Sequence, residues 1–149
     1  MKAREVMVKA PVTLPVDATI HEAATVMDGA AVGAIVILDG ARPVGVVTDR
    51  DLVTRALARR LPPDARVDGV MSNGVVCVDA DADLSGVASI LSTHPFRRVP
   101  VVDHDRIVGM VTLDDLIVRL SNELQNVTKG VTAQLLFGHP EPKPPMMAD

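Results

Sequence analysis

Aromatic residues and cysteine are nearly absent from this sequence. Of its 149 residues, two are phenylalanine and none is tyrosine or tryptophan. Proteins that bind nucleic acid use aromatic stacking platforms or a basic face, whereas this chain has a net charge of -4. Its one cysteine, Cys77, excludes an intramolecular disulfide. Because it lies in the apolar run 75–78, we expect a buried structural thiol rather than a reactive one.

Long hydrophobic runs and targeting signals are also missing. The longest apolar run, residues 30–38, is far shorter than the roughly 20 residues that a membrane-spanning helix needs. Residues 1–16 carry several charges but no apolar stretch of the kind found in signal peptides. We therefore expect a soluble cytoplasmic protein that has neither a membrane nor a nucleic acid as its partner.

Signatures of catalysis and of metal binding are missing as well. The histidines show no metal-ligand spacing with one another or with Cys77, and no phosphate-loop or nucleophile-elbow motif occurs. The sequence therefore favours a binding protein over an enzyme, and it predicts neither a metal site nor a catalytic cofactor. The histidines concerned are His21, His94, His104 and His139.

What the sequence does contain is an internal repeat at a fixed offset of 64 residues. Between residues 6–56 and residues 70–120, 15 of 51 aligned pairs are identical and no gap is needed. Residues 44–52 (VGVVTDRDL) and 108–116 (VGMVTLDDL) are especially similar. Repeated units usually bury a shared face, so a site on one unit should have a counterpart on the other.

Each repeat is predicted to fold as strand, helix, strand, strand, helix. Apolar residues at helical spacing indicate the first helix of each repeat, and Thr19 with Glu22 forms a capping box at the first helix start. The continuous apolar runs 34–38 and 99–102 indicate buried strands. Each run leads into a short polar turn and a second strand, which predicts a hairpin.

These patterns divide the chain into five parts. They are a first unit at 1–60, a linker at 61–67, a second unit at 68–120, a helical extension at 121–137 and a disordered proline-rich tail at 138–149. Apolar residues keep helical spacing from Leu116 to Leu135. This ridge could cover the core of the first unit or meet the same ridge on another subunit, and a homodimer is expected.

The motif Gly-x-x-Thr-x-x-Asp occurs once in each repeat, where a strand ends and a helix begins. A threonine at a helix start can donate to a phosphate or ribose oxygen, and an aspartate one turn later can accept from ribose hydroxyls. The glycine permits the close approach of a ligand or another backbone. However, Thr-x-x-Asp is also a plain capping arrangement, and the motif by itself does not separate the two interpretations. The two copies are Gly45, Thr48, Asp51 and Gly109, Thr112, Asp115.

The paired units resemble a tandem pair of cystathionine β-synthase (CBS) domains, called a Bateman module. The resemblance covers residues 1 to about 120. Within it, the chain is similar to stand-alone bacterial two-CBS proteins. It rests on Val-Met at 6–7 and 70–71, on residues 97–103 (RRVPVVD) and on the two motifs above. It implies an α/β (α+β) fold: two β-α-β-β-α units related by a pseudo-two-fold axis, with their sheets packed together, followed here by an extended C-terminal helix.

The resemblance also implies two clefts between the units, each able to bind an adenosyl ligand such as AMP, ADP, ATP, S-adenosylmethionine or an NAD-type molecule. By position, aspartates would hold the ribose hydroxyls, threonines the ribose or phosphate, and strand residues would frame the base through backbone groups and aliphatic contact. Because rings are so few, we expect that adenine does not stack on one. The aspartates are Asp51 and Asp115, and the threonines are Thr48 and Thr112. The strand residues around the base are Ile35, Val99, Pro100, Thr13 and Cys77. The basic residues of the site are Arg50 and Arg98.

The two copies differ in the charges around the motif. Arg50 in the first repeat aligns with Asp114 in the second, and Arg97 and Arg98 in the second align with two small residues in the first. An additional aspartate opposes a polyphosphate. The clefts are therefore predicted to be unequal, and the first repeat's motif is expected to form the better nucleotide site.

Taken together, the sequence predicts a regulatory module that senses an adenosyl ligand and acts on a separate client protein. The alternative is a ligand-independent homodimeric scaffold, in which Thr-x-x-Asp only caps helices. An enzyme has the least support.

Overall fold

The computed structural model describes residues 1–9 and 11–136, and the predicted tail at 138–149 lies outside them. One compact unit, Met1–Leu116, contains the first repeat and all but the last four residues of the second, and another unit begins at Ile117. In chain order the helices and strands are α1 (Ala3–Val6), β1 (Val8–Lys9), β2 (Thr13–Pro15), α2 (Ile20–Ala30), β3 (Ala34–Asp39), β4 (Arg42–Thr48), α3 (Asp49–Asp51, continued by π-helical residues Leu52–Leu57), a 3-10 turn (Val67–Gly69), β5 (Ser72–Asn73), β6 (Val78–Asp79), α4 (Leu84–Thr93), β7 (Arg98–Asp103), β8 (Arg106–Thr112) and α5 (Leu113–Leu136).

Two four-stranded sheets form the frame of the first unit. Their strand orders are β2-β3-β4-β5 and β1-β8-β7-β6. In each sheet the strand before the first long helix runs parallel to the strand after it, and the remaining neighbours are antiparallel. Strands β4 and β8 contact each other and join the sheets. The predicted pair of similar α+β units is therefore confirmed.

The predicted local signals at turns and helix starts are confirmed. The backbone N–H of Glu22 donates to Thr19 Oγ1 at 3.1 Å, and the Thr19 N–H donates to Glu22 Oε2 at 2.9 Å, which is the expected capping box. Both hairpins form, between β3 and β4 and between β7 and β8. In the second, His104 and Asp105 have φ of 49° and 60°, as a two-residue hairpin turn requires.

The opening segments of the two repeats are exchanged between the sheets. Val8 pairs with Met110, Ala3 is fully buried in the core of the second repeat, and Arg4 forms a 2.8 Å ion pair with Asp81. Reciprocally, Val67 is fully buried in the core of the first repeat, and β5 pairs with β4. A division at residue 60 therefore does not follow sheet membership, because the edge strand of each sheet comes from the other repeat.

The motif glycines make room for a methionine of the exchanged segment. A Cβ on Gly45 would overlap Met71 Sδ, and a Cβ on Gly109 would lie 2.5 Å from Met7 Sδ. Gly109 is also tightly approached by the backbone oxygen of Val8, which would be 2.9 Å away. The close approach predicted at these glycines is thus made by the protein itself.

Candidate functional site

One cleft in the first unit lies between the two repeats and has a volume of about 780 Å³. Three stretches of chain line most of it: the end of β4 with α3, the segment 72–76, and the segment 94–98. The first stretch belongs to the first repeat and the other two to the second. A molecule in this cleft would therefore touch both repeats at once.

Five of the eleven sequence-predicted site residues are brought together here. Thr48, Arg50, Asp51, Arg98 and Pro100 all line the cleft. They come from both repeats and include the whole charged set predicted around the first motif. The structure thus brings Thr48, Arg50 and Asp51 of the first repeat together with Arg98 and Pro100 of the second.

Two of the predicted strand residues, Ile35 and Val99, point away from the cleft. The side chains of Ile35 and Val99 are fully buried in the two cores. Successive side chains of a strand point to opposite faces, so Arg98 and Pro100 reach the cleft from β7 while Val99 packs inward. Aliphatic contact from Ile35 or Val99 is therefore not available to a ligand in this cleft.

The remaining predicted residues lie outside the lining of this cleft. They are Thr13, Cys77, Thr112 and Asp115. Cys77 is half-buried, and its Sγ lies 3.9 Å from the Val75 carbonyl oxygen. Burial raises the pKa of its thiol, since a thiolate is poorly solvated there. This environment favours the protonated thiol, as expected for a structural cysteine.

In the first repeat, the motif caps α3 and still leaves a donor available. The Asp51 N–H donates to Thr48 Oγ1 at 3.1 Å, and the Thr48 N–H donates to Asp51 Oδ2 at 2.9 Å. The second carboxylate oxygen, Oδ1, lies 3.7 Å from Arg55 Nε. Among the described residues, no acceptor takes the hydroxyl proton of Thr48. The cap therefore forms, and the Thr48 hydroxyl can still donate to a ligand.

In the second repeat, the same two residue types use their hydrogens differently. The Asp115 N–H donates to Thr112 Oγ1 at 3.1 Å, as in the first copy. Here, however, the Thr112 hydroxyl donates to Asp115 Oδ2 at 2.6 Å. A short bond to a carboxylate is a strong one, so the Thr112 proton is already committed. The two copies have the same sequence pattern but unequal capacity to donate to a ligand.

The cleft carries a small excess of positive charge. The Asp51 carboxylate faces Arg55, and the Arg97 guanidinium forms a 2.7 Å ion pair with Asp114. Arg50 and Arg98 have no carboxylate within ion-pair distance among the described residues. The one opposing charge counted here is the carboxylate of Asp49, and its Oδ1 accepts a hydrogen bond from the backbone N–H of Arg50 at 2.8 Å. Two cations against one carboxylate favour an anionic occupant.

Two aromatic rings border the cleft, although the sequence contains few such residues. The rings of His94 and Phe96 stack with a centroid distance of 4.9 Å, and both residues border the cavity. The expectation that adenine does not stack on a ring rested on composition alone, and scarcity in the sequence says nothing about position in the fold. Phe96 follows a helix and lies in no recognisable motif, so only the three-dimensional structure could place it.

Within residues 1–9 and 11–136, no three His, Cys, Asp or Glu side chains are grouped closely enough to hold a metal ion. No helix in that part of the chain is both long and apolar enough to span a membrane.

The chain belongs to the CBS domain family, whose model matches it twice, at residues 3–58 and 67–122. Hypoxic response protein 1 of Mycobacterium tuberculosis is 34% identical over 116 residues, which are 76% of this chain and 81% of the relative. A crystal structure of Hypoxic Response Protein I with two coordinated zinc ions has a TM-score of 0.72 and 34% identity, covering 80% of this chain and 98% of that one.

Two further solved CBS structures contain adenosyl ligands. The CBS domain protein PAE2072 from Pyrobaculum aerophilum, complexed with AMP, has a TM-score of 0.70 and 30% identity, and it covers 82% of this chain and 99% of its own. The CBS domain pair of protein MJ0100, in complex with 5'-methylthioadenosine and S-adenosyl-L-methionine, has a TM-score of 0.69 and 29% identity, with coverages of 83% and 97%. Binding of adenosyl ligands thus occurs among similar CBS pairs.

Proposed function

We propose that this protein is a regulatory module that binds one adenine nucleotide in the cleft beside Thr48 and Asp51. The observation that supports it best is the convergence of Thr48, Asp51, Arg50 and Arg98 on a single cavity of about 780 Å³. That volume lies within the range of small-molecule sites, and such sites combine apolar walls with a few fixed polar groups. AMP-bound PAE2072 shows that a CBS pair of similar structure takes such a ligand.

Each polar group in the cleft has a suitable role toward a nucleotide. The Asp51 carboxylate would accept from the ribose hydroxyls, and the Thr48 hydroxyl would donate to the ribose or the phosphate. Arg50 and Arg98 would hold the phosphates through charge-assisted hydrogen bonds. The stacked rings of His94 and Phe96 offer an apolar surface for the base. The same charges make the sulfonium cation of S-adenosylmethionine a poorer ligand than AMP, ADP or ATP.

Regulation would follow from the position of the cleft between the repeats. A ligand that touches both repeats stabilises the packing in which those contacts are made, and it shifts the population toward that packing. No catalytic step is part of this proposal, and the nucleotide is a regulatory ligand rather than a cofactor. The signal would pass from a homodimer to a separate client protein. The cytoplasmic location stays a prediction.

A thermal-shift panel tests whether an adenosyl ligand binds at all. The panel contains AMP, ADP, ATP, S-adenosylmethionine and NADH. A ligand present at 100 times its Kd should add about 2.7 kcal/mol to the free energy of unfolding, so the Tm should rise clearly. No shift with any compound would contradict the proposal and support the scaffold alternative, in which Thr-x-x-Asp serves only as a cap. Consumption of any compound would instead revive an enzymatic function.

A matched pair of variants tests which copy of the motif is used. Asn keeps an acceptor for the cap but removes the charge, so Asp51→Asn and Asp115→Asn should both fold. By isothermal titration with AMP or ATP, Asp51→Asn should raise the Kd about tenfold or more, because a hydrogen bond to a charged group is lost. Asp115→Asn should change the Kd less than about twofold. Equal losses in the two variants would overturn the assignment to the first cleft.

A further inference from the structure

The carboxylate of Asp51 is held from two sides, and only one of them is the helix cap. Its Oδ2 accepts the Thr48 N–H within the cap. On the other side, Arg55 Nε lies 3.7 Å from Oδ1 of this side chain, which is only 15% exposed. Arg55 itself is not among the residues that line the cleft. Arg55 would therefore act on a nucleotide through Asp51 rather than by contact.

The Arg55 guanidinium also reaches the second repeat. Its Nη1 donates to the Val70 carbonyl oxygen at 3.4 Å, and Val70 is buried in the core of the first repeat. The chain that follows Val70 forms β5 and then continues along the wall of the cleft at residues 72–76. Arg55 thus joins the Asp51 carboxylate to the segment by which the second repeat completes the first sheet and lines the cleft.

This arginine occupies an unusual helical turn at a repeated sequence position. It lies within the π-helical residues Leu52–Leu57, and π-helical turns are rare and frequently found at functional sites. An aspartate followed four residues later by an arginine occurs in both repeats, as Asp51 and Arg55 and as Asp115 and Arg119. The repeated motif Gly-x-x-Thr-x-x-Asp therefore extends in sequence by x-x-x-Arg in each copy.

The pair of Arg55 and Asp51 is suited to orienting a group rather than to stabilising the fold. The Arg55 side chain is 49% exposed, and ion pairs of exposed residues contribute little to folding because water and salt screen them. Fixing the direction of a carboxylate is a different effect, since a binding group must be held close to its productive geometry by the residues around it. A guanidinium beside Oδ1 restricts the rotation of the Asp51 carboxylate.

We propose that Arg55 is a positioning residue, which holds the Asp51 carboxylate in the orientation that the two ribose hydroxyls of a nucleotide require. With Oδ2 fixed by the Thr48 N–H and Oδ1 faced by Arg55, the carboxylate still has lone pairs that can accept from both hydroxyls. Arg55 thereby contributes to the selection of ribonucleotides over ligands that lack these hydroxyls. This inference rests on the proposed nucleotide site and names the residue that determines its selectivity for ribose.

The matched variants Arg55→Ala and Arg59→Ala test this role. Both remove one cation, four residues apart in the chain, but Arg59 has no carboxylate within ion-pair distance in the part of the chain that the structure describes. Isothermal titration compares AMP with 2′,3′-dideoxy-AMP, which keeps the phosphate and lacks both hydroxyls. The wild type should prefer AMP by about tenfold or more. Arg55→Ala should reduce that preference about fivefold, and Arg59→Ala should leave it unchanged.

The ratio of the two Kd values separates positioning from other roles of Arg55. Loss of a structural contact, or of a cation that attracts phosphate, would weaken both nucleotides equally, and an unchanged ratio in Arg55→Ala would overturn the proposal. The Tm of Arg55→Ala should fall by no more than about 4 °C, so the variant is folded when it is titrated. A wild type without affinity for AMP would contradict the proposed function itself, whereas a wild type that binds AMP, together with an unchanged ratio in Arg55→Ala, would overturn only the role of Arg55.

Discussion

The two repeats have the same motif at the same place in the fold, and yet they offer a ligand different groups. In the first, the Asp51 carboxylate accepts a backbone N–H of Thr48, and the Thr48 hydroxyl keeps its proton available. In the second, the Thr112 hydroxyl donates a hydrogen bond to Asp115 Oδ2. Identical residues at matching positions therefore do not imply equal sites. The two copies differ in the group that donates a hydrogen bond to the aspartate carboxylate, which is the Thr48 backbone N–H in the first and the Thr112 hydroxyl in the second.

The surrounding charges extend the same comparison. Arg50 and Arg98 line the cleft beside the first motif. At the second motif the residue that aligns with Arg50 is Asp114, and it is already paired with Arg97 at 2.7 Å. The duplication preserved the backbone frame while the charge lining diverged. A ligand that requires cations would therefore distinguish the two halves of the module.

The largest expected effect concerns the motif glycines and would test how equivalent the two frames are. Gly109→Ala should lower the free energy of unfolding by about 2–3 kcal/mol, since overpacking forces the surroundings to shift. Its new Cβ would lie 2.9 Å from the Val8 backbone oxygen as well as near Met7. Gly45→Ala meets only the flexible Met71 side chain at such short distances, so it should cost about 1 kcal/mol. Urea denaturation of both variants measures the difference. A greater loss for Gly45→Ala would contradict this account.

A smaller effect is expected at the two caps. Thr48→Ala should destabilise the protein by about 1–2 kcal/mol and Thr112→Ala by about 0.5–1 kcal/mol, the range for lost N-caps. The first should cost more because its cap bonds are partly buried, whereas those of Thr112 are exposed. Thermal unfolding in the absence of ligand gives both values. Only Thr48→Ala should also weaken AMP binding, and an equal effect on binding from Thr112→Ala would make the two copies equivalent after all.

The smallest effect is expected for the ion pair that distinguishes the second repeat. Arg97 and Asp114 are 68% and 75% exposed in their side chains, and exposed pairs contribute about 0.2–1 kcal/mol at most. A double-mutant cycle with Arg97→Ala and Asp114→Ala should give a coupling energy under about 0.5 kcal/mol. A coupling above 1 kcal/mol would show that the pair is a structural element of the second repeat.

Much of the fold could be predicted because its signals are local. The capping box at Thr19, the polar hairpin turns and the apolar strand runs depend on residues close in sequence, and each formed as predicted. The exchange of edge strands could not be predicted in this way. Pairing of Val8 with Met110 joins residues about a hundred positions apart, and no local pattern encodes such a partner.

The residues of the candidate site likewise fall into those that could be predicted from the sequence and those that could not. Thr48, Asp51 and Pro100 were implied by the resemblance to CBS pairs, Arg50 and Arg98 came from comparing the two repeats, and all five line the cleft. The stacked pair His94 and Phe96 was missed because both residues follow α4 without a motif. Ile35 and Val99 were expected to touch the base, but the alternation of their strands directs them into the cores.

By itself, the sequence determined that two similar units exist, where their helices begin and which residues form the repeated motif. These features follow from spacing and from side-chain chemistry within a few residues. The tertiary structure decided which segment completes which sheet, and which side chains of the two repeats meet at the cleft. Such choices depend on distances between groups far apart along the chain, and these distances are fixed only when the two sheets pack together.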